Sequence, residues 1–257
     1  MVKVIFFDVD GTLISHHQKD IPESTKIALR KLAEKEIKRV VATGRHIIEL
    51  SSLPVNNICF DAYITLNGQL CLDASGDIIS ENPICGEDRE RIVNLFNDRI
   101  VPVMLVEKNR MYINFINQHV ELAQQAISTP VPDIGVYIGN EIYQAIVYVE
   151  KGNETEIARR LPNCKTTRWN NYAIDIIANS GGKVTGIKEY LKTNNISQEE
   201  TMAFGDGEND IDMLRYVHTG IAMGNADELT KENADYTTET VDNHGIMDAL
   251  LALKVIN

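Results

Sequence analysis

The stretch from Val4 to Leu13 constrains this chain more than any other, because an apolar run ends there in two acidic residues. The run Val4–Phe7 is short, β-branched and aromatic, which is typical of a buried parallel strand. Asp8 and Asp10 follow it, and Gly11 breaks the extended segment. Residues two apart on extended backbone point the same way, so two buried carboxylates there require a nearby cation. A hard metal ion such as magnesium meets that requirement, and an acidic turn is the alternative interpretation.

The order of predicted elements indicates a parallel α/β core that is interrupted once. The chain begins as strand, helix, strand, and this βαβ unit implies a parallel sheet. From about residue 83 to residue 178 the predicted strands come in adjacent pairs, which favours an antiparallel sheet with helices on one face. Strand and helix alternate again from Ser180 onward. We therefore expect a Rossmann-like parallel sheet core at 1–82 and 179–257, with an inserted α+β domain at 83–178.

Charge follows the same division. The chain carries 25 basic and 37 acidic residues, a formal net charge of -12, with an isoelectric point near 5.0. Residues 83–178 hold ten basic and twelve acidic residues, so most of the excess acid belongs to the core, where a divalent cation would offset it. Such an acidic protein is not expected to bind nucleic acid or an anionic membrane.

The sequence also bears on location. No apolar run is long enough to span a bilayer, and the first residues lead directly into the predicted strand without the pattern of a signal peptide. The four cysteines are scattered, with no CxxC pair. We expect a cytoplasmic protein without a membrane partner. The sequence does not determine the oligomeric state, and a monomer is compatible with it.

Polar residues recur where other core elements meet the same edge of the predicted sheet. Thr43 and Gly44 follow the second predicted strand. Lys183 begins the helix that precedes a later strand, and that later strand is followed by Asp206, Asn209 and Asp210. Ligand sites of open parallel sheets lie beyond the carboxyl ends of the strands. Each feature alone is compatible with a turn, a surface lysine or a helix cap. Their joint occurrence with Asp8 and Asp10 predicts one site.

The chemistry that suits these groups is phosphoryl transfer through a phosphorylated aspartate. A carboxylate such as Asp8 can attack phosphorus, provided that a bridging magnesium offsets the negative charges of both reactants. Asp206 would share that metal with Asp8. Asp10 would protonate the leaving oxygen and then deprotonate the hydrolytic water. The remaining polar groups would surround the phosphate oxygens: Thr43, Gly44, Lys183 and Asn209.

These residues resemble the motifs of the haloacid dehalogenase (HAD) superfamily of phosphohydrolases. The four motifs are matched by Asp8-Val9-Asp10-Gly11-Thr12, Thr43, Lys183 and Gly205-Asp206-Gly207-Glu208-Asn209-Asp210. The insertion between the second and third motifs, with Thr43-Gly44-Arg45 and Asn67-Gly68, is similar to the Cof-like branch, whose members are mostly sugar-phosphate phosphatases. The resemblance covers essentially the whole chain, and the fourth motif is its most specific part.

The resemblance implies the HAD fold with a cap domain, a Mg²⁺ cofactor and a role for each motif residue. Asp8 would be the nucleophile and Asp10 the general acid and base. The metal would be held by Asp8, Asp206 and the backbone carbonyl of Asp10, with support from Asp210. Contacts with phosphate or substrate are expected at the following positions: Val9, Thr12, Thr43, Gly44, Arg45, Asn67, Lys183 and Asn209.

One position departs from the family pattern. The family often has a glycine directly after the motif lysine, whereas this chain has Val184 there and a glycine at Gly186. We expect this difference to adjust helix packing without removing the phosphate contact of Lys183.

The resemblance also implies that the insertion closes over the core site and contacts the leaving group. Candidate specificity residues are Arg168-Trp169-Asn170, which lie near the return to the core, and Tyr112 and Asn114, which alternate on one predicted strand. A domain-core strand with exposed polar edges explains each of them equally well.

The sequence therefore predicts a magnesium-dependent phosphatase that hydrolyses a small phosphorylated metabolite, above all a sugar phosphate. A phosphosugar mutase resembling the phosphomannomutases is the first alternative. Its cap would have to bind a second phosphate, and the arginine-serine stretch that those enzymes use is not seen here. A non-catalytic metabolite-binding module is the second alternative, and it is disfavoured because every chemical position is filled.

Overall fold

A computed structural model describes residues 1–15, 17–126 and 129–257, and the side chain of Trp169 lies outside that description. In chain order the strands are β1 (Val4–Phe7), β2 (Lys38–Ala42), β3 (Ala62–Thr65), β4 (Leu70–Asp73), β5 (Ile78–Glu81), β6 (Val103–Val106), β7 (Met111–Ile113), β8 (Gln144–Tyr148), β9 (Cys164–Asn170), β10 (Ala173–Ala178), β11 (Thr201–Gly205), β12 (Thr219–Ala222) and β13 (Tyr236–Thr237). The helices are α1 (Glu23–Glu34), α2 (Ile47–Leu50), α3 (Gly86–Asp98), α4 (Gln118–Ala126), α5 (Glu154–Arg160), α6 (Lys183–Asn194), α7 (Ile211–Tyr216), α8 (Glu228–Glu232) and α9 (Gly245–Ala252).

The chain divides into two compact units. The core unit comprises Met1–Glu81 and Gly182–Asn257, and the inserted unit comprises Asn82–Gly181. The sequence predicts these boundaries at 82/83 and 178/179.

The core unit is built on one eight-stranded sheet in the order β13-β12-β11-β1-β2-β3-β4-β5. The strands from β13 to β3 pair in parallel, whereas β3, β4 and β5 pair antiparallel. The strands β1 and β11 are therefore neighbours although about 190 residues separate them in the chain. The predicted parallel α/β core is confirmed.

The strand β1 is buried on both faces, as its continuous apolar sequence predicts. Its side chains alternate between two apolar clusters. Ile5 and Phe7 pack with α1 and α9 on one face, and Val4 and Phe6 pack with α6 and α7 on the other. Because helices cover both faces of β1, residues that follow the strand ends are the ones placed to form a site.

The inserted unit holds a five-stranded antiparallel sheet in the order β7-β6-β8-β10-β9. Its apolar cluster takes Ile92 and Phe96 from α3 and Ile157 from α5, together with strand residues. The paired-strand pattern of the sequence therefore predicted this α+β unit correctly, and it has its own buried core.

The polar groups of four candidate specificity residues form hydrogen bonds or ion pairs within the inserted unit. Tyr112 donates its hydroxyl to Glu107 Oε1 at 2.6 Å, and Asn114 bonds the backbone at Val103 and Phe96. Arg168 pairs with Glu154 Oε2 at 2.9 Å, and Asn170 Oδ1 accepts the amide of Tyr172 at 2.7 Å. These contacts explain Tyr112, Asn114, Arg168 and Asn170 as parts of the unit's own structure.

Within the described part of the chain, none of the helices has the length and apolar character needed to cross a membrane.

Candidate active site

Three carboxylates converge at the carboxyl ends of the neighbouring strands β1 and β11. Asp8 follows β1 directly, and its amide donates to Phe204 O of β11 at 3.0 Å. Asp206 follows β11, and Asp210 lies at the start of α7, four residues further on. One oxygen from each of Asp8, Asp206 and Asp210 can be chosen so that all lie within 4.8 Å of one another. The sheet thus brings together side chains that lie far apart in the sequence.

Lys183 places its ammonium between two of these carboxylates. The first residue of α6 is Lys183, and its Nζ lies 2.6 Å from Asp8 Oδ1 and 2.6 Å from Asp210 Oδ1. All three side chains are at most 9% exposed. Burial alone would lower the pKa of Lys183, but Asp210 and Asp8 outweigh it and hold that pKa above its ordinary value. Lys183 therefore stays charged and supplies one fixed positive charge.

One ammonium does not balance three carboxylates. Burial raises the pKa of Asp8 well above its ordinary value, Lys183 opposes this shift, and Asp210 and Asp206 add to it. Burial and then Asp210 raise the pKa of Asp206 to about 7. The pKa values of both groups rise because burial disfavours their charged forms and because the single ammonium of Lys183 does not offset the neighbouring carboxylates. Hard carboxylate oxygens with a residual negative charge are suited to a divalent cation, so the donor set fits a metal of this kind.

Asp210 also anchors the turn that carries Asp206. Its Oδ2 accepts the amides of Asp206 and Gly207, both at 3.0 Å. A side chain at position 205 would lie 2.5 Å from Asp210 Cβ, so the close approach of this carboxylate requires Gly205. Asp210 thus fixes the turn that carries Asp206 and at the same time pairs with Lys183.

The hydroxyl of Thr12 is directed to Asp206 rather than to open space. Thr12 is fully buried, and its Oγ1 donates to Asp206 Oδ1 at 2.9 Å. The preceding turn is compact: Val9 O accepts the amides of Leu13 and Ile14, and Gly11 adopts a φ of 82°. The sequence predicts a phosphate or substrate contact at Thr12, whereas the contact of Thr12 in the structure is with a candidate metal ligand.

A second group of polar residues lies at the ends of β2 and β3. Thr43 follows β2 and is buried, and its backbone carbonyl accepts the amide of Asn67 at 3.0 Å. A Cβ at Gly44 would lie 3.2 Å from the side chain of Asn67. Asn67 Oδ1 accepts Asn209 Nδ2 at 3.3 Å, and Asn67 O accepts the amide of Gly182 at 2.9 Å. Asn67 therefore connects the loops that carry Thr43, Lys183 and Asn209.

The turn around Asn67 has an uncommon backbone. Leu66, Asn67 and Gly68 are three successive residues with left-handed φ values of 53°, 53° and 84°. A Cβ at Gly68 would lie 2.0 Å from Gly182 O, so only glycine allows this turn to meet the start of α6. A Cβ at Gly186 would likewise lie 2.5 Å from a methyl group of Ile64, so this glycine brings α6 close to β3. Strained turns of this kind concentrate at functional sites.

Arg45 forms an ion pair with Asp10 that the sequence analysis did not foresee. Arg45 Nε lies 2.6 Å from Asp10 Oδ2, and Nη2 lies 2.8 Å from Oδ1. The amide of Arg45 donates to Thr43 Oγ1 at 3.1 Å, which ties the pair to the end of β2. Arg45 was expected to contact substrate, and in the structure its guanidinium holds both oxygens of Asp10.

Asn225 is a further residue of the site that the sequence motifs do not include. Its Nδ2 donates to Gly11 O at 2.9 Å and to Asp206 Oδ2 at 3.2 Å. A signal for it existed, because Asn225 lies three residues beyond the carboxyl end of β12, at the same end of the sheet where Thr43 follows β2.

The chain matches known phosphatases over nearly all of its length. It matches the family described as haloacid dehalogenase-like hydrolase over residues 5–250. The Bacillus subtilis (strain 168) protein named "Putative phosphatase YkrA" is 31% identical over 257 residues, which cover 99% of this chain and 98% of that protein.

Two solved structures are also similar. BT1666 from Bacteroides thetaiotaomicron, studied among phosphatases of the HAD superfamily, has a TM-score of 0.87 at 32% identity and covers 100% of this chain and 96% of its own. BT4131, a HAD subclass IIB sugar phosphatase, has a TM-score of 0.86 at 33% identity and covers 99% of this chain and 100% of its own.

Proposed function

The chain belongs to the haloacid dehalogenase-like hydrolases and is a phosphatase, and we propose that it hydrolyses small phosphorylated metabolites, above all sugar phosphates. The proposed reaction passes through a phosphorylated aspartate and uses Mg²⁺ as cofactor. The observation that carries the proposal is the placement of Lys183 Nζ 2.6 Å from both Asp8 and Asp210, beside Asp206. The similarity to a sugar phosphatase supports the class of substrate.

Asp8 is the proposed nucleophile. Its carboxylate attacks the phosphorus of the substrate, and the bond to the leaving oxygen breaks. Mg²⁺, held by Asp8, Asp206 and the Asp10 carbonyl with support from Asp210, would reduce the repulsion between the carboxylate and the anionic phosphate. Lys183 stabilises the same charge through its fixed ammonium. Lys183 thus opposes the burial that raises the pKa of Asp8 and favours the ionised form that must react.

Asp10 is the proposed general acid and base. It donates a proton to the leaving oxygen in the first step and accepts one from the water that hydrolyses the phosphorylated Asp8 in the second. Arg45 donates to both oxygens of Asp10, so proton transfer at Asp10 has to compete with this ion pair.

The polar group at the ends of β2 and β3 is proposed to bind the transferred phosphate. The oxygens of this phosphate would be contacted by the backbone at Val9 and by Thr43, Gly44, Lys183 and Asn209. Asn67 would fix the relative positions of the loops that carry these residues. Such positioning is most of what catalysis of phosphoryl transfer requires. We further propose that the inserted unit is a cap that selects the leaving group.

The Asp8→Asn variant tests the proposal. Hydrolysis of p-nitrophenyl phosphate in Mg²⁺ should fall on the order of 10⁴-fold or more, because the amide cannot form the phosphorylated intermediate. Radiolabelled substrate should label the wild-type protein but not this variant, whereas Asp10→Asn should slow both steps and leave Mg²⁺ binding largely intact.

The matched control is Asp248→Asn, which removes an exposed carboxylate of the core unit far along the chain from the cluster. It should retain wild-type activity. Substantial turnover by Asp8→Asn, or wild-type turnover that is unaffected by chelation of the metal, would contradict the proposal. A hydrolysis screen across phosphorylated metabolites then identifies the substrate.

A further inference from the structure

We propose that Asn225 is a positioning residue that orients the Asp206 carboxylate and thereby sets the affinity of the site for its divalent cation. The inference rests on the proposed function, because it takes Asp206 to be a metal ligand. Asn225 lies in the loop after β12, which none of the four sequence motifs includes.

Asn225 links three segments of the core unit through one side chain. Its Nδ2 donates to Gly11 O at 2.9 Å, in the turn after Asp10, and to Asp206 Oδ2 at 3.2 Å. Its Oδ1 accepts the amide of Val241 at 3.0 Å. The loop after β12 is thus fastened to the ends of β1 and β11 and to the segment before α9.

The two backbone partners fix which end of the amide faces Asp206. The amide of Val241 can only donate, so it requires the oxygen of Asn225, and the carbonyl of Gly11 can only accept, so it requires the nitrogen. The NH₂ group must therefore face the carboxylate. The backbone beside it is also held, because Gly224 donates to Glu239 O at 3.0 Å and a Cβ at Gly224 would lie 2.7 Å from Thr240 N.

Asp206 has a donor on each of its oxygens. Thr12 Oγ1 donates to Oδ1 at 2.9 Å, and Asn225 Nδ2 donates to Oδ2. Two donors from opposite loops define the plane of the carboxylate and leave lone pairs on both oxygens. Partners that orient a ligating carboxylate in this way typically change metal affinity about 10- to 100-fold when they are removed.

The Asn225 side chain is exposed, so its removal leaves no cavity. The fold should therefore persist in Asn225→Ala, which removes the hydrogen bonds to Asp206 Oδ2, Gly11 O and Val241 N together.

Titration calorimetry of the full chain with Mg²⁺ tests the inference without reference to turnover. Asn225→Ala should raise the Kd for Mg²⁺ about 10- to 100-fold. With p-nitrophenyl phosphate as substrate, saturating Mg²⁺ should restore most of the wild-type kcat, because the reacting groups remain. Asn194→Ala is the matched control: this exposed asparagine donates to Tyr190 O at 2.9 Å on α6, and its loss should leave the Kd unchanged.

Asn225→Asp separates positioning from direct ligation. It replaces the donor with an oxygen that faces Asp206 Oδ2 and Gly11 O, so it should bind Mg²⁺ at least as weakly as Asn225→Ala. Tighter binding by Asn225→Asp would overturn the inference, because it would make residue 225 itself a ligand. An unchanged Kd in Asn225→Ala would also overturn it. If the proposed function fails instead, the wild type binds Mg²⁺ but releases no phosphate, and the calorimetric comparison still stands.

Discussion

The two units of this chain each bury carboxylates, and the pKa values of these carboxylates shift in opposite directions. In the inserted unit, Glu107 is 3% exposed and accepts Arg110 Nε at 2.8 Å, Tyr112 Oη at 2.6 Å and Asn140 Nδ2 at 2.7 Å. Burial would raise the pKa of Glu107, but these hydrogen bonds outweigh it and hold the pKa below its ordinary value. In the core unit, Lys183 pairs with Asp8 and Asp210, and burial raises the pKa of both Asp8 and Asp206.

The difference distinguishes a structural carboxylate from a candidate catalytic one. Glu107 has enough donors of its own, so its charge is already compensated and it stabilises its surroundings. The core cluster of Asp8, Asp206 and Asp210 has one ammonium, that of Lys183, paired with it among the described residues, so a divalent cation and a substrate are expected to complete the site. The comparison can be tested by removing a donor or a charge from each unit.

Among the changes that test this comparison, the largest effect is expected when the cluster loses its lysine. Lys183→Met keeps the length of the side chain but removes the charge between Asp8 and Asp210, and kcat should fall about 10²- to 10³-fold. The measurement is steady-state hydrolysis at saturating Mg²⁺. Lys192→Met, which changes a lysine 79% exposed on the same helix, should leave kcat unchanged. An equal loss of kcat in Lys183→Met and Lys192→Met would show that the charge of Lys183 has no special role in the cluster.

An intermediate effect is expected from pH in the presence of EDTA. Because the folded-state pKa of Asp206 is about 7 against 3.8 ordinarily, the folded protein holds a proton there that the unfolded chain has lost between about pH 4 and 7. The free energy of unfolding should therefore fall as pH rises through this window. Urea unfolding at pH 5 and pH 7.5 measures it.

Two further measurements sharpen the pH test. Asp206→Asn should reduce the pH dependence without abolishing it, because the pKa of Asp8 is also raised. Mg²⁺ should restore stability at pH 7.5 because it binds the folded state. The opposite sign applies to Glu107, whose lowered pKa gives stability above its ordinary value of 4.5 that is lost as pH falls. A wild type whose stability changes with pH no differently from Asp206→Asn would contradict the comparison.

The smallest effect is expected at Glu107. Glu107→Gln leaves Arg110 and Tyr112 facing a neutral amide, and the Tm of the inserted unit should fall by about 5–10 °C. Scanning calorimetry measures it. Glu141→Gln is the control: it weakens an exposed pair with Arg89, 3.1 Å apart, and should shift the Tm by at most about 1 °C. A Glu107 variant as stable as the wild type would show that its hydrogen bonds are not stabilising.

Much of the architecture was predictable because it depends on patterns local in sequence. The continuous apolar run of β1 predicted a strand buried on both faces, and the switch from alternating to paired elements predicted the inserted antiparallel unit. The rule that ligand sites lie at carboxyl ends selected Asp8, Thr43 and Asp206, and the structure places all three at that edge. The same rule, applied to β12, would have found Asn225.

The sequence by itself determined which residues could act, because acidic and small polar residues at strand ends are visible without knowing their neighbours. Only the tertiary structure decided their partners. The pairing of Arg45 with Asp10, the contact of Thr12 with Asp206 and the position of Lys183 between two carboxylates each depend on which strands become neighbours in the sheet. Strand order is set by packing across the whole chain, and no local pattern encodes it.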